Sequence, residues 1–375
     1  MDNSFTLSTP VMPAEWEPQD AIILAWPHCE TDWRYMLEQA QACFKEVARA
    51  IVREMRLVVI TPDVDDAKRQ LSDIDHNHRI IYQEIDTNDT WARDFGPISV
   101  IDGDKRLMLD FKFNAWGMKF AACHDNLICM KMAQNHIFEA DTINCQDFVL
   151  EGGSIESDGN GTILTTSQCL LSPNRNRHLS KQQIEAVLTA RLGARKVLWL
   201  ESGELTGDDT DAHIDTLARL APDNSILYVK CDDPADEQYT PLQRMEQELK
   251  AMTNAQNEPF DLVPLPCPKP IHDEEGLRLP ATYANFLITN SQVLVPIYNQ
   301  PETDDKALKA IAQVFTDRNV VGIDCNALIQ QHGSLHCITM QIPENFLRTR
   351  GQVNKRTRGQ VNKRTRGQEN KRTRG

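Results

Sequence analysis

The cysteine near the end of the chain lies in a segment whose residue types suit nucleophilic catalysis. Residues 331–339 read Gln-His-Gly-Ser-Leu-His-Cys-Ile-Thr, so Cys337 follows a glycine-containing turn and lies next to His336. A thiolate is a strong nucleophile, and a nearby imidazolium or a cationic substrate lowers the pKa of a thiol. Because most cysteines in a protein are inert, this interpretation of Cys337 depends on other chemistry-bearing segments accompanying it.

A second segment, residues 207–215, places a histidine two positions before an aspartate. In an extended backbone His213 and Asp215 project to the same side, which suits a histidine that transfers protons beside a carboxylate that binds a cation. A metal site is the weaker alternative, because the sequence offers no second well-spaced group of histidines. Three further aspartates of this segment would support that alternative: Asp208, Asp209 and Asp211.

Two more segments place carboxylates where a predicted strand is followed by a loop. Residues 88–97 gather Trp91, Arg93 and Asp94 around a Gly-Pro turn. Loops that follow strands are frequent places for binding sites, although a salt-bridged turn is an alternative here. Glu151 precedes two glycines, which let the backbone approach a ligand closely. We therefore expect Asp94 and Glu151 to supply carboxylates to a site.

Strand-like and helix-like patterns alternate along the chain, and these elements must position the four segments. The interleaving predicts an α/β fold. No sequence repeat accompanies the repeated pattern, so a ring of similar units does not follow from self-similarity, and a doubly wound sheet remains open. Helical periodicity covers residues 31–55, 125–138, 180–193, 234–254 and 302–315, with short apolar or alternating runs between them.

The charge of the chain is unevenly distributed. Its 375 residues include 40 Lys and Arg against 54 Asp and Glu, a formal net charge of -14. Residues 348–375 contain 11 basic residues and one acidic residue, a net +10, which leaves residues 1–347 with 29 basic against 53 acidic residues, a net -24. An anionic body disfavours nucleic acid and attracts cations into its clefts, so we expect a cationic small molecule as the substrate.

The N-terminal segment and the cysteines indicate a cytoplasmic protein. A basic region followed by an apolar one, the pattern of a secretory signal, is not found at the N-terminus. No run approaches the roughly 20 apolar residues of a membrane-spanning helix. The ten cysteines are scattered without a Cys-x-x-Cys pair, which disfavours a zinc ribbon or a disulfide-linked scaffold. We therefore expect most cysteines to be reduced.

The basic C-terminal segment repeats an octapeptide. The unit Arg-Thr-Arg-Gly-Gln-Val-Asn-Lys begins at Arg348, Arg356 and Arg364, with Glu369 in place of the valine in the last copy. Its few apolar side chains cannot offset the entropy lost on ordering, so disorder is predicted. We expect residues 1–347 to form a single catalytic domain and residues 348–375 to be a tail with at most weak polyanion contacts.

Six motifs, in order along the chain, resemble the agmatine deiminase family of guanidino-group modifying enzymes, which is related to the bacterial-type peptidylarginine deiminases. The resemblance implies a five-bladed propeller of ββαβ units, the pentein fold, with the site at its central axis. It also implies hydrolysis of agmatine to N-carbamoylputrescine and ammonia, in putrescine and polyamine biosynthesis, with no cofactor or metal. The motifs are MPAEWEP at 12–18, NDTWARDFGP at 88–97, EGGSIESDG at 151–159, GDDTDAHID at 207–215, LPATYANF at 279–286 and HCITMQ at 336–341.

The resemblance implies a role for each candidate catalytic residue. Cys337 would be the nucleophile and His213 the general acid and base. Asp94 and Asp215 would bind the guanidinium nitrogens, and Glu151 would support that orientation or the proton state of His213. Two carboxylates in bidentate hydrogen bonds can fix the plane of a guanidinium and leave its central carbon open to sulfur. A covalent thiouronium would then form on the cysteine and be hydrolysed.

The preference for agmatine over arginine depends on the ends of the site. Agmatine carries a distal ammonium and no carboxylate, and Trp91, Asp209 and Asp211 are the candidate residues for binding it or lining the channel. Free arginine or peptidyl-arginine is the alternative substrate, and free arginine would need a basic clamp for its carboxylate. Three arginines could supply that clamp: Arg93, Arg175 and Arg177.

The chain departs from the family pattern around the nucleophile and the histidine. Gln331 and His332 stand where the family usually has glycines, and Met340 stands where a glutamine is common. Ala212 and Thr216 also replace residues that are often Gly and Asn. The resemblance further implies a homo-oligomer. Two other classes remain as alternatives, a polyamine-binding protein without activity and a metallohydrolase with four ligands, namely His213, Asp215, Asp211 and His336.

Overall fold

The computed structural model describes residues 7–348, so the predicted disordered tail beyond Arg348 lies outside the described residues. Within this range the chain forms seventeen strands. They are β1 (Pro10–Val11), β2 (Gln19–Ala25), β3 (Arg56–Thr61), β4 (Ile80–Glu84), β5 (Ile98–Asp102), β6 (Lys105–Lys112), β7 (Asp141–Val149), β8 (Ile155–Ser157), β9 (Thr162–Thr166), β10 (Lys196–Leu200), β11 (Ala218–Ala221), β12 (Ser225–Lys230), β13 (Asp261–Pro266), β14 (Leu287–Ile288), β15 (Gln292–Ile297), β16 (Asn319–Asp324) and β17 (Thr339–Pro343).

Nine α-helical segments alternate with these strands in the described range. The five predicted helical regions are confirmed, four of them shortened at their ends and the last displaced by one residue, with residues 32–36 forming a 3₁₀ turn before the first helix. The segments are α1 (Leu37–Val52), α2 (Val64–Leu71), α3 (Ala92–Phe95), α4 (Ala115–Met118), α5 (Ile128–Gln134), α6 (Ser167–Leu170), α7 (Lys181–Leu192), α8 (Tyr239–Ala251) and α9 (Pro301–Val314).

Local sequence signals explain several of these boundaries. Helix α7 begins with a capping box in which the side chains of Ser180 and Gln183 each bind the other residue's backbone N–H. It ends at Gly193, whose φ of 78° is the left-handed conformation that glycine adopts without strain. Helix α9 begins with Pro301, which lacks the N–H that would be unpaired there. Helix α6 begins after Thr166, whose side chain accepts the backbone N–H of Cys169.

The strands form five separate small sheets, so the doubly wound sheet that the pattern left open is wrong. Each sheet contains an antiparallel pair followed, after a helical connection, by a parallel strand. The strand orders are β1-β5-β6-β7, β10-β9-β8, β11-β12-β13, β14-β15-β16 and β17-β2-β3-β4. The observed architecture is therefore α/β with a repeated ββαβ topology.

The two ends of the described chain meet in one sheet. Strand β17 pairs antiparallel with β2, and β2 pairs parallel with β3. The residues of β2 and β3 are almost all buried, as expected for strands with both faces covered. This pairing brings Cys337, two residues before β17, to the turn that contains Asp94, where the N–H of Arg93 donates to the carbonyl oxygen of Cys337 at 3.1 Å. Among the described residues, no helix combines the length and the apolar character needed to span a membrane.

Candidate active site

The five candidate catalytic residues lie in turns next to strands of four different sheets. Asp94 is in α3 before β5, Glu151 lies between β7 and β8, His213 and Asp215 precede β11, and Cys337 precedes β17. All five side chains are buried. Their burial means that each polar or ionisable group must find a partner in the protein or in a substrate.

Gly153 marks the point at which three of these side chains converge. A methyl group placed on its Cα would lie 2.7 Å from Nδ1 of His213, 2.8 Å from Oδ1 of Asp94 and 3.2 Å from Oδ2 of Asp215. The backbone N–H of Gly153 also donates to Oδ1 of Asp94 at 3.0 Å. The glycine is therefore needed for a close approach of backbone to the site, as the Gly-Gly pair after Glu151 predicted.

Asp94 is held by two hydrogen bonds and has an elevated pKa. Besides the Gly153 N–H, the indole N–H of Trp116 donates to its Oδ2 at 2.9 Å. Burial is the main reason why the pKa of Asp94 is raised to about 6. The negative charges of Asp215 and Glu151 raise this pKa further, whereas His213 lowers it. A bound cation would reverse this shift and favour the carboxylate.

Trp116 reaches Asp94 from a segment of unusual backbone. Residues 115–118, the four residues of α4, all have positive φ, with values of 53°, 54°, 87° and 67°. They form a single left-handed turn, which costs free energy at the three positions that are not glycine. The turn places the Trp116 indole against Asp94 and puts Lys119 near the loop before His213, where its Nζ lies 2.8 Å from Oδ1 of Asp211.

His213 has no hydrogen-bond partner on either ring nitrogen within the described part of the chain. Its Nδ1 lies 3.5 Å from Oδ1 of Asp94 and its Nε2 lies 4.0 Å from Oε2 of Glu151. Burial alone would lower the pKa of His213, but the carboxylates of Asp94 and Glu151, together with the contact to Cys169, outweigh it and hold the pKa well above its usual value. The imidazole can therefore carry a proton to a leaving group.

The surroundings of Cys337 favour its thiol over its thiolate. Burial is the main cause that raises its pKa well above the usual value, and the negative charges of Asp215 and Asp94 raise it further. Its Sγ lies 3.4 Å from Oδ1 of Asn285 and 4.0 Å from Oδ2 of Asp215. The Asn285 oxygen also accepts the backbone N–H groups of His336 and Cys337, at 2.9 Å and 3.3 Å, and so fixes the turn at the nucleophile.

Asp215 is the ionised carboxylate of the site. Its Oδ2 lies 2.7 Å from Nδ1 of His336, while its Oδ1 has no partner among the described residues. Burial alone would raise the pKa of Asp215, but the hydrogen bond and charge of His336 outweigh burial and lower the pKa below its usual value. One oxygen is thus anchored by the protein and the other is available to a ligand.

Glu151 is bound by an arginine that sequence reasoning had considered only as a carboxylate clamp. The Nε of Arg175 donates to both oxygens of Glu151, at 2.8 Å and 3.1 Å, and its Nη1 lies 2.6 Å from Oδ2 of Asp211. Both the Arg175 and the Glu151 side chains are fully buried. Asp211, a predicted substrate-binding residue, is therefore paired with Arg175 and Lys119.

A cavity leads from the surface to Asp94. Its walls include Trp91, Asp89, Asp209 and His332, so two of the predicted substrate-binding residues line it. Burial is the largest cause that raises the pKa of Asp209 to about 6 and that of Asp89 to about 7. His332 adopts a φ of 65°, the left-handed conformation that suits the glycine usual at this position, and its Nδ1 lies 2.8 Å from the carbonyl oxygen of Gly207.

The structure places Arg93, another predicted substrate-binding residue, outside this cavity. Its side chain is buried and its Nη1 donates to Oε1 of Gln341 at 2.6 Å, while Nη2 lies 3.9 Å from Oε2 of Glu15. The backbone of Arg93 contributes instead, through the hydrogen bond to the carbonyl of Cys337. A guanidinium that is already committed to buried partners is poorly available to a substrate.

Comparisons with known proteins bear on this arrangement. The sequence profile of the Porphyromonas-type peptidyl-arginine deiminases matches residues 11–343. The chain belongs to this family.

The agmatine deiminase of Medicago truncatula is 34% identical, with 92% of this chain and 99% of that protein covered. A solved structure of an agmatine deiminase from C. jejuni with substrate bound is 38% identical, covers 90% of this chain and 97% of its own, and has a TM-score of 0.83. A Porphyromonas gingivalis structure, named provisionally as an arginine deiminase, is 48% identical, covers 90% of this chain and 100% of its own, and has a TM-score of 0.86.

The site of this deiminase-family chain includes residues that sequence reasoning missed. Asn285 orders the nucleophile turn, Trp116 holds Asp94, and Glu15 binds the far side of His336. Asn285 and Glu15 both lie in the motifs that carried the family resemblance, but nothing in their local sequence indicated a contact with the site. Cys169, a buried cysteine, lies against His213 and contributes to the raised pKa of the histidine.

The four ligands considered for a metallohydrolase are not brought together as one cluster. Asp211 pairs with Arg175 and Lys119, while His336 lies between Asp215 and Glu15. Within residues 7–348 the groups that could surround an ion are Glu151 with Cys169 and His213, and Glu15 with Glu156 and His336. Each of these groups already holds the guanidinium of a buried arginine, Arg175 in the first and Arg219 in the second.

Proposed function

We propose that this chain is an agmatine deiminase, which hydrolyses the guanidinium of agmatine to N-carbamoylputrescine and ammonia. One observation carries the proposal: in a chain of this family a buried thiol, three carboxylates and an imidazole with no hydrogen-bond partner in the described range converge beside one cavity. The named relatives add support, since agmatine deiminases from Medicago truncatula and C. jejuni align with about nine tenths of the chain. The sequence adds the expectation of a cytoplasmic homo-oligomer in putrescine biosynthesis.

The unfilled hydrogen-bonding capacity of the site matches a guanidinium. Among residues 7–348 Asp215 Oδ1 has no partner, and Asp94, which also lies next to Gly153, has a pKa that a bound cation would lower. Guanidinium is planar and presents N–H pairs that carboxylates bind side by side. Asp94 and Asp215 would therefore fix its plane and leave the central carbon facing Cys337.

The bound cation would also activate the nucleophile. The negative charges of Asp94 and Asp215 contribute to the raised pKa of Cys337, so their neutralisation by substrate favours the thiolate. The thiolate adds to the guanidinium carbon, and His213 donates a proton to the departing nitrogen, which leaves as ammonia. The resulting thiouronium is then attacked by water, from which His213 takes a proton, and the carbon–sulfur bond breaks to release the ureido product and Cys337.

The surroundings of the cavity favour agmatine over free arginine. Asp89 and Asp209 line it and suit a distal ammonium. Of the three arginines considered for a carboxylate clamp, Arg93 and Arg175 are buried against other partners, and Arg177 is exposed without lining this cavity. A substrate carboxylate would therefore meet acidic side chains and lose its hydration without a matching cation.

The direct test is an assay of ammonia and ureido product from three substrates. Purified protein should turn over agmatine with a kcat/KM at least about a hundredfold higher than for free arginine or a blocked peptidyl-arginine, because an unpaired charge in the site costs several kcal/mol. Higher turnover of either arginine substrate would reject agmatine as the substrate and keep the deiminase chemistry. Binding of agmatine without ammonia release would instead support the polyamine-binding alternative.

The cavity carboxylates predict how activity changes with pH. Because the pKa values of Asp94 and Asp209 are raised to about 6 and that of Asp89 to about 7, these groups gain protons as the pH falls through this range. kcat/KM for agmatine should therefore fall steadily between pH 7.5 and pH 5.5. Butylguanidine, which lacks the distal ammonium, is the matched control, and its kcat/KM should fall less over the same pH range. Parallel profiles would show that Asp89 and Asp209 do not bind the distal charge.

We also propose that the five ββαβ units form a closed five-bladed propeller. Support comes from the shared strand order of the five sheets and from the pairing of β17 with β2, which joins the C-terminal strand to the N-terminal unit. In such a ring the turns that contain the candidate catalytic residues would face a common axis. Residues 1–347 would then be a single catalytic domain, to which residues 348–375 are appended.

Removal of the tail should leave the chemistry intact. A chain that ends at Leu347 keeps every candidate catalytic residue, and its kcat and KM for agmatine at moderate salt should stay within about twofold of the full chain. Steady-state kinetics of the two proteins, with their thermal midpoints, provide the check. A loss greater than about tenfold would show that the +10 segment contributes to the site or to assembly.

A further inference from the structure

A chain of buried charged groups lies behind Asp215. The ring of His336 stands between two carboxylates, with Nδ1 2.7 Å from Oδ2 of Asp215 and Nε2 2.7 Å from Oε2 of Glu15. None of the three side chains is more than 8% exposed. Glu15 comes from the N-terminal segment and His336 directly precedes the nucleophile, so the chain joins distant parts of the sequence at the site.

The two short contacts determine where the protons are. Burial alone would raise the pKa values of Asp215 and Glu15, but the contacts with His336 and the charge of Arg219 outweigh it and lower both. An ionised carboxylate can only accept hydrogen bonds, so a ring nitrogen that faces one donates to it. Nη2 of Arg219 also lies 3.1 Å from Nε2 of His336, but the Glu15 oxygen at 2.7 Å is the closer partner of Nε2. The two carboxylates therefore favour a His336 ring that is protonated on both nitrogens.

Glu15 is itself held in place by groups that do not contact the substrate cavity. Its Oε2 accepts from Nη2 of Arg219 at 2.7 Å and its Oε1 accepts from the backbone N–H of Ile288 at 2.7 Å. Arg219 is fully buried, and its Nε donates to Oε1 of Glu156 at 2.6 Å. With the Arg219 guanidinium in this place, the Glu15, Glu156 and His336 group is an ion-pair network and not a vacant metal site.

We propose that His336 and Glu15 are positioning residues that hold Asp215 ionised and oriented, with Oδ1 left free for the substrate guanidinium. Glu15 keeps the proton on Nε2 of His336, and the imidazolium in turn anchors Oδ2 of Asp215. The inference deepens the proposed function and rests on it, because it assigns a purpose to the ionised state of Asp215 that only a cationic substrate requires.

The surroundings of Asp215 show why such support is needed. Burial works against its ionised form, and the neighbouring carboxylate of Asp94 already has a pKa raised to about 6. Two adjacent buried carboxylates tend to share a proton unless one is paired with a cation. Without the imidazolium, Asp215 would gain a proton at a higher pH and the guanidinium would lose one of its two anionic partners.

The first test replaces Glu15 by glutamine, which has the same shape and can donate to Nε2 of a neutral His336. For Glu15→Gln, kcat/KM for agmatine should fall about tenfold at pH 7, mainly through KM, and the acid limb of its pH profile should move up by about one unit or more. Glu156→Gln is the matched control. This substitution also removes a buried carboxylate from Arg219, but Glu156 forms no hydrogen bond with His336. The same shift in both variants, or in neither, would overturn the proposal.

A second readout does not depend on turnover. The rate at which Cys337 is alkylated by 2-chloroacetamidine, a reactive amidinium, is compared with its rate with neutral iodoacetamide. In the wild-type protein the amidinium should alkylate Cys337 faster than iodoacetamide. The ratio of the two rates should fall about tenfold in Glu15→Gln, because Asp215 then binds the cation less well. A wild-type protein with neither turnover nor amidinium preference would reject the proposed function itself. If the wild-type protein turns over agmatine but the ratio is the same in Glu15→Gln, only the role of Glu15 is rejected.

A measurement on the unmodified protein covers the case in which Glu15→Gln does not fold. Long-range ¹H–¹⁵N spectra of histidine-labelled wild-type protein at pH 7 should contain one ring that is protonated on both nitrogens and that disappears in His336→Gln. A neutral ring for His336 would overturn the proposal without any variant at Glu15. Thermal unfolding of each variant separates loss of the fold from loss of the ion pair.

Discussion

Replacement of Cys337 by serine should lower kcat/KM for agmatine by at least about a thousandfold while the protein remains folded. The chain has ten cysteines, but this one lies beside Asp215 and Asn285, and its carbonyl oxygen accepts the backbone N–H of Arg93 next to Asp94. A serine hydroxyl fits the same space, yet its pKa is several units above that of a thiol. Neutralisation of Asp94 and Asp215 by the substrate would therefore not produce enough alkoxide to attack the guanidinium carbon.

The contrast with another buried cysteine makes this result specific. Cys145 lies in β7 and is also buried, and burial raises its pKa to about 11. Cys145→Ser should keep kcat/KM within about threefold, because it removes a thiol of similar burial away from the site. Acid-quenched wild-type enzyme should yield a Cys337 peptide that carries agmatine less ammonia, detected by mass spectrometry. Equal turnover by Cys337→Ser and wild type would reject covalent catalysis.

The periodic patterns of the sequence were sufficient to predict the strands and helices but not the sheets that they form. The apolar runs at residues 56–61 and 292–297 are strands β3 and β15, and the helical periodicity at 180–193 is α7. Five sheets instead of one could not be derived, because the choice depends on which strand edges pair over long sequence distances. The pairing of β17 with β2, about 320 residues apart, leaves no local signal.

The acidic residues of the site show a similar limit. Sequence spacing placed Asp209 and Asp211 in one loop with His213, and both were candidates for a distal ammonium. The structure puts Asp209 on the cavity wall and pairs Asp211 with Arg175. Local spacing could not separate them, because a left-handed φ of 67° at Asp211 turns its side chain toward a partner 36 residues earlier.

The left-handed turn that carries Trp116 could not be expected from propensity at all. Three of its four residues are not glycine, and each disfavours positive φ by roughly 1 kcal/mol. Tertiary contacts compensate for this cost, among them the indole hydrogen bond to Asp94. Strain that coincides with a contact to a candidate catalytic residue is typical of functional sites, and only coordinates reveal it.

Gly153→Ala should reduce kcat/KM for agmatine by about a hundredfold or more, the second largest effect we expect. Gly153 is not among the described glycines with positive φ, so its backbone accepts alanine and the effect must come from space. The added methyl group would lie within 3 Å of both His213 Nδ1 and Asp94 Oδ1 and would push the His213 imidazole away from the Asp94 carboxylate that binds the substrate. Overpacking of this kind costs about 1–3 kcal/mol of stability, which thermal unfolding would measure.

Gly322→Ala separates the catalytic consequence of that methyl group from its cost in stability. Gly322 lies in β16, also lacks a positive φ, and an added methyl group there would meet Cγ2 of Ile297 at 3.0 Å. Both variants therefore insert one methyl group into a tight space, but only Gly153→Ala places it among Asp94, His213 and Asp215. If both variants lose a similar free energy of unfolding but only Gly153→Ala loses activity, the site requires this close approach of the backbone at Gly153. If Gly153→Ala keeps near wild-type kcat/KM, the three side chains do not act as the geometry implies, and the assignment of His213 and Asp94 to the chemistry fails with them.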